Sequence, residues 1–170
     1  SKNKDSIRNK NELNMLCGQR SRLLGAARNK FDAVKELCTQ IPDSQRQYSL
    51  FYCGEGKLWT GDDEDNSDTK VVEEVSSTLK AAGWSTSRFT SEEGASERAK
   101  IMENFRNGEI DGLVSIKVLD EGVDVPVCDK AFLLASTRNP RQYIQRRGRV
   151  LRRHADKSYS KIYDFVVLPN

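Results

Sequence analysis

Five short runs rich in aromatic and aliphatic residues limit what this chain can fold into: "QYSLFYC" (47–53), "WSTSRFT" (84–90), "DGLVSIKV" (111–118), "DKAFLLAS" (129–136) and "SKIYDFVVL" (160–168). Each has the length of a strand. Helix-period segments separate them: "TKVVEEVSSTLKAA" (69–82), "SERAKIMENFRNG" (96–108) and a stretch from 140 to about 152. Strands that alternate with helices cannot pair as hairpins, because each helix carries the chain back across the sheet. Strand cores this apolar must also be covered on both faces. The pattern therefore predicts an α/β fold, a three-layer open parallel sheet with helices on both faces. Sheets of this kind bind ligands at the carboxyl ends of their strands. The loops after residues 53, 90, 116 and 136 are the places to look for a site.

The first 40 residues read as helical, with Leu13, Leu16, Leu23, Leu24, Ala27, Phe31, Val34 and Leu37 at helix-like intervals and Gly18 and Gly25 as breaks. Pro42 closes that segment, which sets residues 1–44 apart as a helical connection and 45–170 as the sheet domain. Ser67 or Asp68 is placed to cap the helix over 69–82, and Gly83 to end it. Asn139 with Pro140 forms an N-cap and first-turn pair for the helix to about 152.

Charge excludes several functions and suggests one. No stretch approaches the roughly 20 apolar residues of a membrane span. No basic-then-apolar leader is present, so the expected compartment is the cytoplasm, and the "SKNKD" start reads as that of an excised fragment. The cysteines Cys17, Cys38, Cys53 and Cys128 are widely spaced and form no CxxC pair, and with His154 as the one histidine no zinc site or His-based triad can be assembled. They are expected to be reduced thiols, and no bound metal is expected. The net charge is only +3, yet residues 138–161 hold nine Lys or Arg against one carboxylate, Asp156. A basic patch on a near-neutral chain points to an anionic partner, with nucleic acid and nucleotide first.

Two motif-like strings fail on inspection. "GEGK" (54–57) lacks the first glycine of a P-loop, and Leu58 stands where a Mg²⁺-binding hydroxyl is needed. Asp63, Asp65, Ser67 and Glu74 fall at calcium-loop offsets, but Asp68 occupies the position that requires glycine. "LDEGVDVP" (119–126) supports two readings: a metal cluster of Asp120, Glu121 and Asp124, or a glycine turn at Gly122 that brings backbone near a ligand while Asp124 accepts from a sugar hydroxyl. The second accounts better for Gly122 and Pro126.

"NPRQYIQRRGRVLRRH" (139–154) holds six arginines between Arg141 and Arg153. In a helix, Gln142, Gln145, Arg149 and Arg152 share one stripe, while Tyr143, Ile144, Val150 and Leu151 are placed to seat the helix on the sheet. Gly148 costs about 1 kcal/mol against Ala inside a helix, which suits a partner passing close to the backbone. Planar guanidinium forks match phosphoryl oxygens better than ammonium groups do. A solvated basic face stands as the competing reading.

These strings resemble a known family. "QRRGRVLR" (145–152) is similar to motif VI, Q-x-x-G-R-x-x-R, of superfamily-two helicases, and "SIKVLDEGVDVP" (115–126) is similar to their motif V. "RFTSEEGASERAKIMENFRNGEIDGLVS" resembles the segment that precedes motif V, and the likeness runs over about residues 45 to 168. The nearest flavour is the DEAD/DEAH-related, restriction-type helicases of DNA-processing and defence systems. The resemblance implies a RecA-like helicase C-terminal domain, the second motor domain of an ATP-dependent helicase or translocase. ATP and Mg²⁺ would be held mainly by an N-terminal RecA-like domain. It further implies Arg149 and Arg152 as arginine fingers, with Gln145 sensing the nucleotide. Gly122 and Asp124, with Glu121 beside them, would line the ribose. Ser115, Lys117, Thr90 and Ser91 would touch the backbone of a nucleic acid strand, with DNA ahead of RNA. Ser115 or Lys117 stands in for the threonine of the RNA-helicase motif. The rival reading is a non-catalytic nucleic-acid-binding module built on the basic helix. A structural adaptor would leave Gly122, Asp124 and the arginine stripe unexplained.

Overall fold

The computed structural model describes residues 10–20, 27–54, 69–116, 128–134, 144, 148 and 157–167. Five strands form one sheet: β1 (Ser49–Tyr52), β2 (Thr86–Phe89), β3 (Gly112–Ser115), β4 (Lys130–Leu133) and β5 (Lys161–Asp164). Their order is β2-β3-β1-β4-β5, and every pairing is parallel. Residues 10–20 are helical (α1). They are followed by α2 (Arg28–Gln40), α3 (Thr69–Ala81) and α4 (Ala95–Arg106). All five expected strands form within their predicted runs, β1 and β2 centrally and β3, β4 and β5 towards the start of theirs.

Alternation along the strands divides the core into two layers. Phe51, Val114 and Phe132 point to one face, where α2 brings Phe31, Val34 and Cys38 and α3 brings Val71, Val72, Val75 and Leu79. Leu50, Leu113, Ala131 and Leu133 point to the other face, where α4 brings Met102 and Phe105. Both faces of the parallel sheet are covered, as strands with four buried residues each in β1, β3 and β4 demand. On the α2–α3 face an aromatic row crosses three strands in register. Phe51 stacks on Phe132 at 4.4 Å and Phe132 on Tyr163 at 4.7 Å, with the Trp84 edge closing on Phe51 at 5.5 Å. Such pairs add about 0.5–1.5 kcal/mol beyond burial.

Glycine ends α3 and α4 in the same way. At Gly83 (φ 82°) the Trp84 N–H donates to Leu79 O and the Gly83 N–H to Lys80 O. At Gly108 (φ 73°) the Glu109 N–H donates to Asn104 O and the Gly108 N–H to Phe105 O. Both are six-to-one and five-to-two closures that satisfy orphan carbonyls, and they need left-handed backbone.

The residues before β1 tie these helix ends down. Arg46 Nη1 donates to Gly83 O at 2.8 Å, and Gln47 Nε2 donates to Gly108 O at 3.1 Å. Two adjacent side chains thus hold helices on opposite faces of the sheet. Arg46 also donates from Nε to Ile41 O and lies 5.6 Å over the Trp84 ring. Lys130 Nζ donates to Gln47 O at 3.1 Å, joining the start of β4 to the same corner.

The two N-terminal helices differ in how they are packed. In α1, Leu13, Met15 and Leu16 are more than half exposed, whereas α2 is packed into the sheet core through Phe31, Val34 and Cys38. Ile144, expected to seat the arginine helix, is helical but 67% exposed. The apolar positions 143, 144, 150 and 151 fall in two stripes about 100° apart, since each residue turns the helix by that angle. Ile144 itself is turned outward.

Candidate functional site

After β1 the chain runs to β2 on one side of the sheet, and after β4 it runs to β5 on the other. The strand order therefore reverses beside β1, which is where open α/β sheets bind ligands, beyond their carboxyl ends. Tyr52 ends β1 and aligns with Ser115 of β3 on one side and Leu133 of β4 on the other. Chain leaving β3 enters "SIKVLDEGVDVP", and chain leaving β4 enters "NPRQYIQRRGRVLRRH". The two motif-bearing segments thus start from one rim, on either side of the central strand.

Ser115 is fully buried, and its Oγ has no hydrogen-bond partner among the described residues. Beyond β2, which pairs Phe89 with Ser115, come Thr90 and Ser91. Ser91 is exposed. The Thr90 hydroxyl is engaged: its Oγ1 donates to Glu93 Oε2 at 2.8 Å and accepts from the Glu92 N–H at 3.2 Å. The Thr90 N–H also donates to Glu93. Glu93 is only 8% exposed. Burial alone would raise its pKa, but the Thr90 hydroxyl and N–H bonds outweigh it and hold the carboxyl below its ordinary value. A carboxylate thus fixes the loop that carries Ser91. Sequence reading missed Glu93, although T-x-x-E at 90–93 has the spacing by which a carboxylate reaches back to a backbone N–H.

Gly148 is helical and exposed, and a Cβ placed on it would meet nothing within 4 Å. Packing among the described residues does not require glycine there. Lys117, Glu121, Gly122, Asp124, Gln145, Arg149 and Arg152 lie outside the described residues.

The rim also contains a buried ammonium. Lys30 of α2, 5% exposed, donates from Nζ to Leu134 O at 2.6 Å. Burial lowers its pKa, and Asp164 at the end of β5 partly offsets that. The three buried thiols are held protonated by their surroundings. Burial pushes Cys53 up to about 12, and Cys38 likewise to about 12 against the opposing charge of Arg46. Cys128 is driven well above its ordinary value by the same cause. A thiol so raised is no nucleophile at neutral pH. Among the described residues no cluster of three or more His, Cys, Asp or Glu could hold a metal ion, and no helix is long and apolar enough to cross a membrane.

An all-parallel sheet covered on both faces by helices, with a switch point beside its central strand, has the RecA-like α/β architecture. The helicase conserved C-terminal domain matches residues 64–154, more than half of the chain, and the chain belongs to that family of superfamily-two helicases. It is 33% identical over 99 residues to the putative ATP-dependent helicase IRC3 of Saccharomyces cerevisiae, covering 58% of this chain and 14% of that protein. It is 44% identical over 57 residues to the DNA 3'-5' translocase XPB2 of Sulfurisphaera tokodaii, covering 34% of this chain and 13% of that protein. Its fold matches the C-terminal domain of the DEAD-box protein Dbp5 with a TM-score of 0.61 at 22% identity, over 81% of this chain and 69% of that one. The chain thus corresponds to about one-seventh of the length of the two curated relatives.

Proposed function

We propose that this chain is the second motor domain of an ATP-dependent nucleic-acid helicase or translocase, with its catalytic partner in an N-terminal RecA-like domain of the same protein. The observation that carries the reading is the common rim. Ser115 and Leu133 align with the same residue of β1, so the chain enters the motif V and motif VI segments from one rim, on either side of the central strand.

Bound ATP, with Mg²⁺ held mainly by the other domain, supplies the phosphoanhydride bond whose hydrolysis drives the cycle. The donors in this chain fit an anionic nucleotide and a phosphodiester strand. Arg149 and Arg152 are the arginine fingers, offering planar donors to charge that builds on the γ-phosphoryl oxygens. Gln145 lies at helical spacing from both and orients the attacking water or the phosphate. Gly148, open on its outer side, lets the opposite domain come close to the helix backbone. Gly122 and Asp124, with Glu121, hold the ribose. Ser115 and Lys117 contact the strand backbone, and the Thr90–Ser91 loop does so through Ser91 and its main chain, since the Thr90 hydroxyl serves Glu93. Contacts of this kind position a strand without reading its sequence. DNA is the assigned strand, in keeping with the translocase relative, and the cytoplasm the assigned compartment.

Arg149→Ala or Arg152→Ala in the full-length protein is expected to lower ATP turnover by about 10³–10⁵-fold while nucleotide affinity is retained. Turnover and fluorescent-nucleotide binding measured on the same samples check this. Wild-type turnover in both variants, with salt-sensitive strand binding intact, would instead support a non-catalytic binding module.

A further inference from the structure

Lys30 stands where three effects oppose it. It lies in the first turn of α2, where the helix dipole repels a cation, and its ammonium leaves water to become 5% exposed. Its long stem also gives up rotamer freedom. A hydrogen bond from Nζ to Leu134 O, 2.6 Å long and spanning 104 residues of sequence, offsets these costs together with the negative charge of Asp164.

The place of that carbonyl gives the bond its meaning. Leu134 N–H donates to Tyr52 O at 2.9 Å, and on the other flank Phe165 N–H donates to Leu133 O at 3.0 Å. The end of β4 is therefore held by β1, by β5 and, through Lys30, by α2. Leu134 is 1% exposed, and among the described residues the ammonium is the donor that its carbonyl receives. The chain leaves β4 at this point toward Gln145, Arg149 and Arg152.

We infer that Lys30 is a positioning residue: by fixing the carboxyl end of β4 it registers the arginine-bearing segment against the connection helix. It touches neither nucleotide nor strand. Its bond makes α2 part of the catalytic geometry, so that a shift of the connection reaches the point from which the arginines depart. The inference rests on the motor-domain reading.

Lys30→Met keeps the apolar stem and removes the donor, while Lys30→Arg keeps a charged donor. In the full-length protein, Lys30→Met is expected to lower strand-stimulated kcat by roughly ten- to a hundredfold, the effect of a small misplacement of catalytic groups. KM for ATP and strand affinity stay within about twofold, and Lys30→Arg recovers most of kcat. Hydrogen exchange provides the readout independent of activity. Amides of 135–143 exchange faster in Lys30→Met while those of β1 and β3 keep their protection. Unchanged kcat, unchanged exchange at 135–143, or a uniform loss of protection across β1 and β3 each overturns the proposal. Where Lys30→Met does not fold, Lys30→Gln, with a neutral donor, is read by the same exchange pattern. Arg149→Ala serves as the control. Full turnover in that variant defeats the finger assignment, while exchange at 135–143 still decides whether Lys30 holds the end of β4.

Discussion

Where the strands of this sheet begin, Arg46 and Gln47 bond the carbonyls that end α3 and α4, and Lys130 ties β4 to Gln47. Where the strands end, Ser115 is buried with an unpartnered hydroxyl, and Lys30 and Glu93 hold the roots of departing segments. Both ends are well buried; they differ in where their polar groups are directed. At the amino end donors close the fold on itself. At the carboxyl end they fix the roots of the segments that carry the motif strings. Under the proposed function, stability and activity would draw on opposite edges of one sheet, and substitutions separate the two.

The largest effect on stability is expected at Arg46. Arg46→Ala orphans Ile41 O and Gly83 O and strips the cation from Trp84, for a loss of about 2–3 kcal/mol in urea denaturation. Its salt bridge to Asp43 adds little, because that carboxylate is 89% exposed. A loss under about 0.5 kcal/mol would show that the amino edge is not the anchor described.

Alkaline titration tests whether the two edges are equally dry. Cys38 lies near the amino corner and Cys53 at the carboxyl rim, and both are raised from 9.0 to about 12. Between those values the unfolded chain ionises its thiols while the folded chain does not. The unfolded state then holds fewer protons, and stability falls as pH rises, by about 1.4 kcal/mol per pH unit for each thiol. Lys30 and Lys157, lowered by burial from 10.5, push the other way, so the variants Cys38→Ala and Cys53→Ala isolate each thiol. Equal reductions in slope are expected. A smaller one for Cys53 would mean that the carboxyl rim admits water.

Gly108→Ala comes next, at about 1–2 kcal/mol, because φ is 73° and the new Cβ would sit 2.9 Å from Gln47 Nε2. Thermal unfolding of this variant against Gln47→Ala and the double mutant measures how far the two share one cost. Ser115→Ala is expected to change stability least, by under about 0.5 kcal/mol or slightly in favour, since no bond is lost. Its effect belongs in strand affinity, as a several-fold weakening measured at fixed salt.

How much of this was legible in sequence follows the same division. The strand runs, the apolar set of α3 and the glycine at 83 depend on local periodicity and backbone preference, and they could be read directly. The site residues were legible only as motif strings, because their chemistry depends on which strand ends lie side by side. Lys30 and Glu93 were missed for a different reason. A lysine in a first turn and a glutamate in "SEEG" look solvated, and their burial is set by partners 104 and three residues away. Ile144 misled in the opposite direction: its place among apolar neighbours did not reveal which stripe of the helix faces the sheet.

The Arg46–Gln47 pair has a mechanical consequence. One dipeptide clamps the last carbonyls of helices on both faces, immediately before the central strand. Separating either helical layer from the sheet at this edge therefore breaks a bond made by one of two neighbouring residues, so the two layers share a single anchorage in the chain.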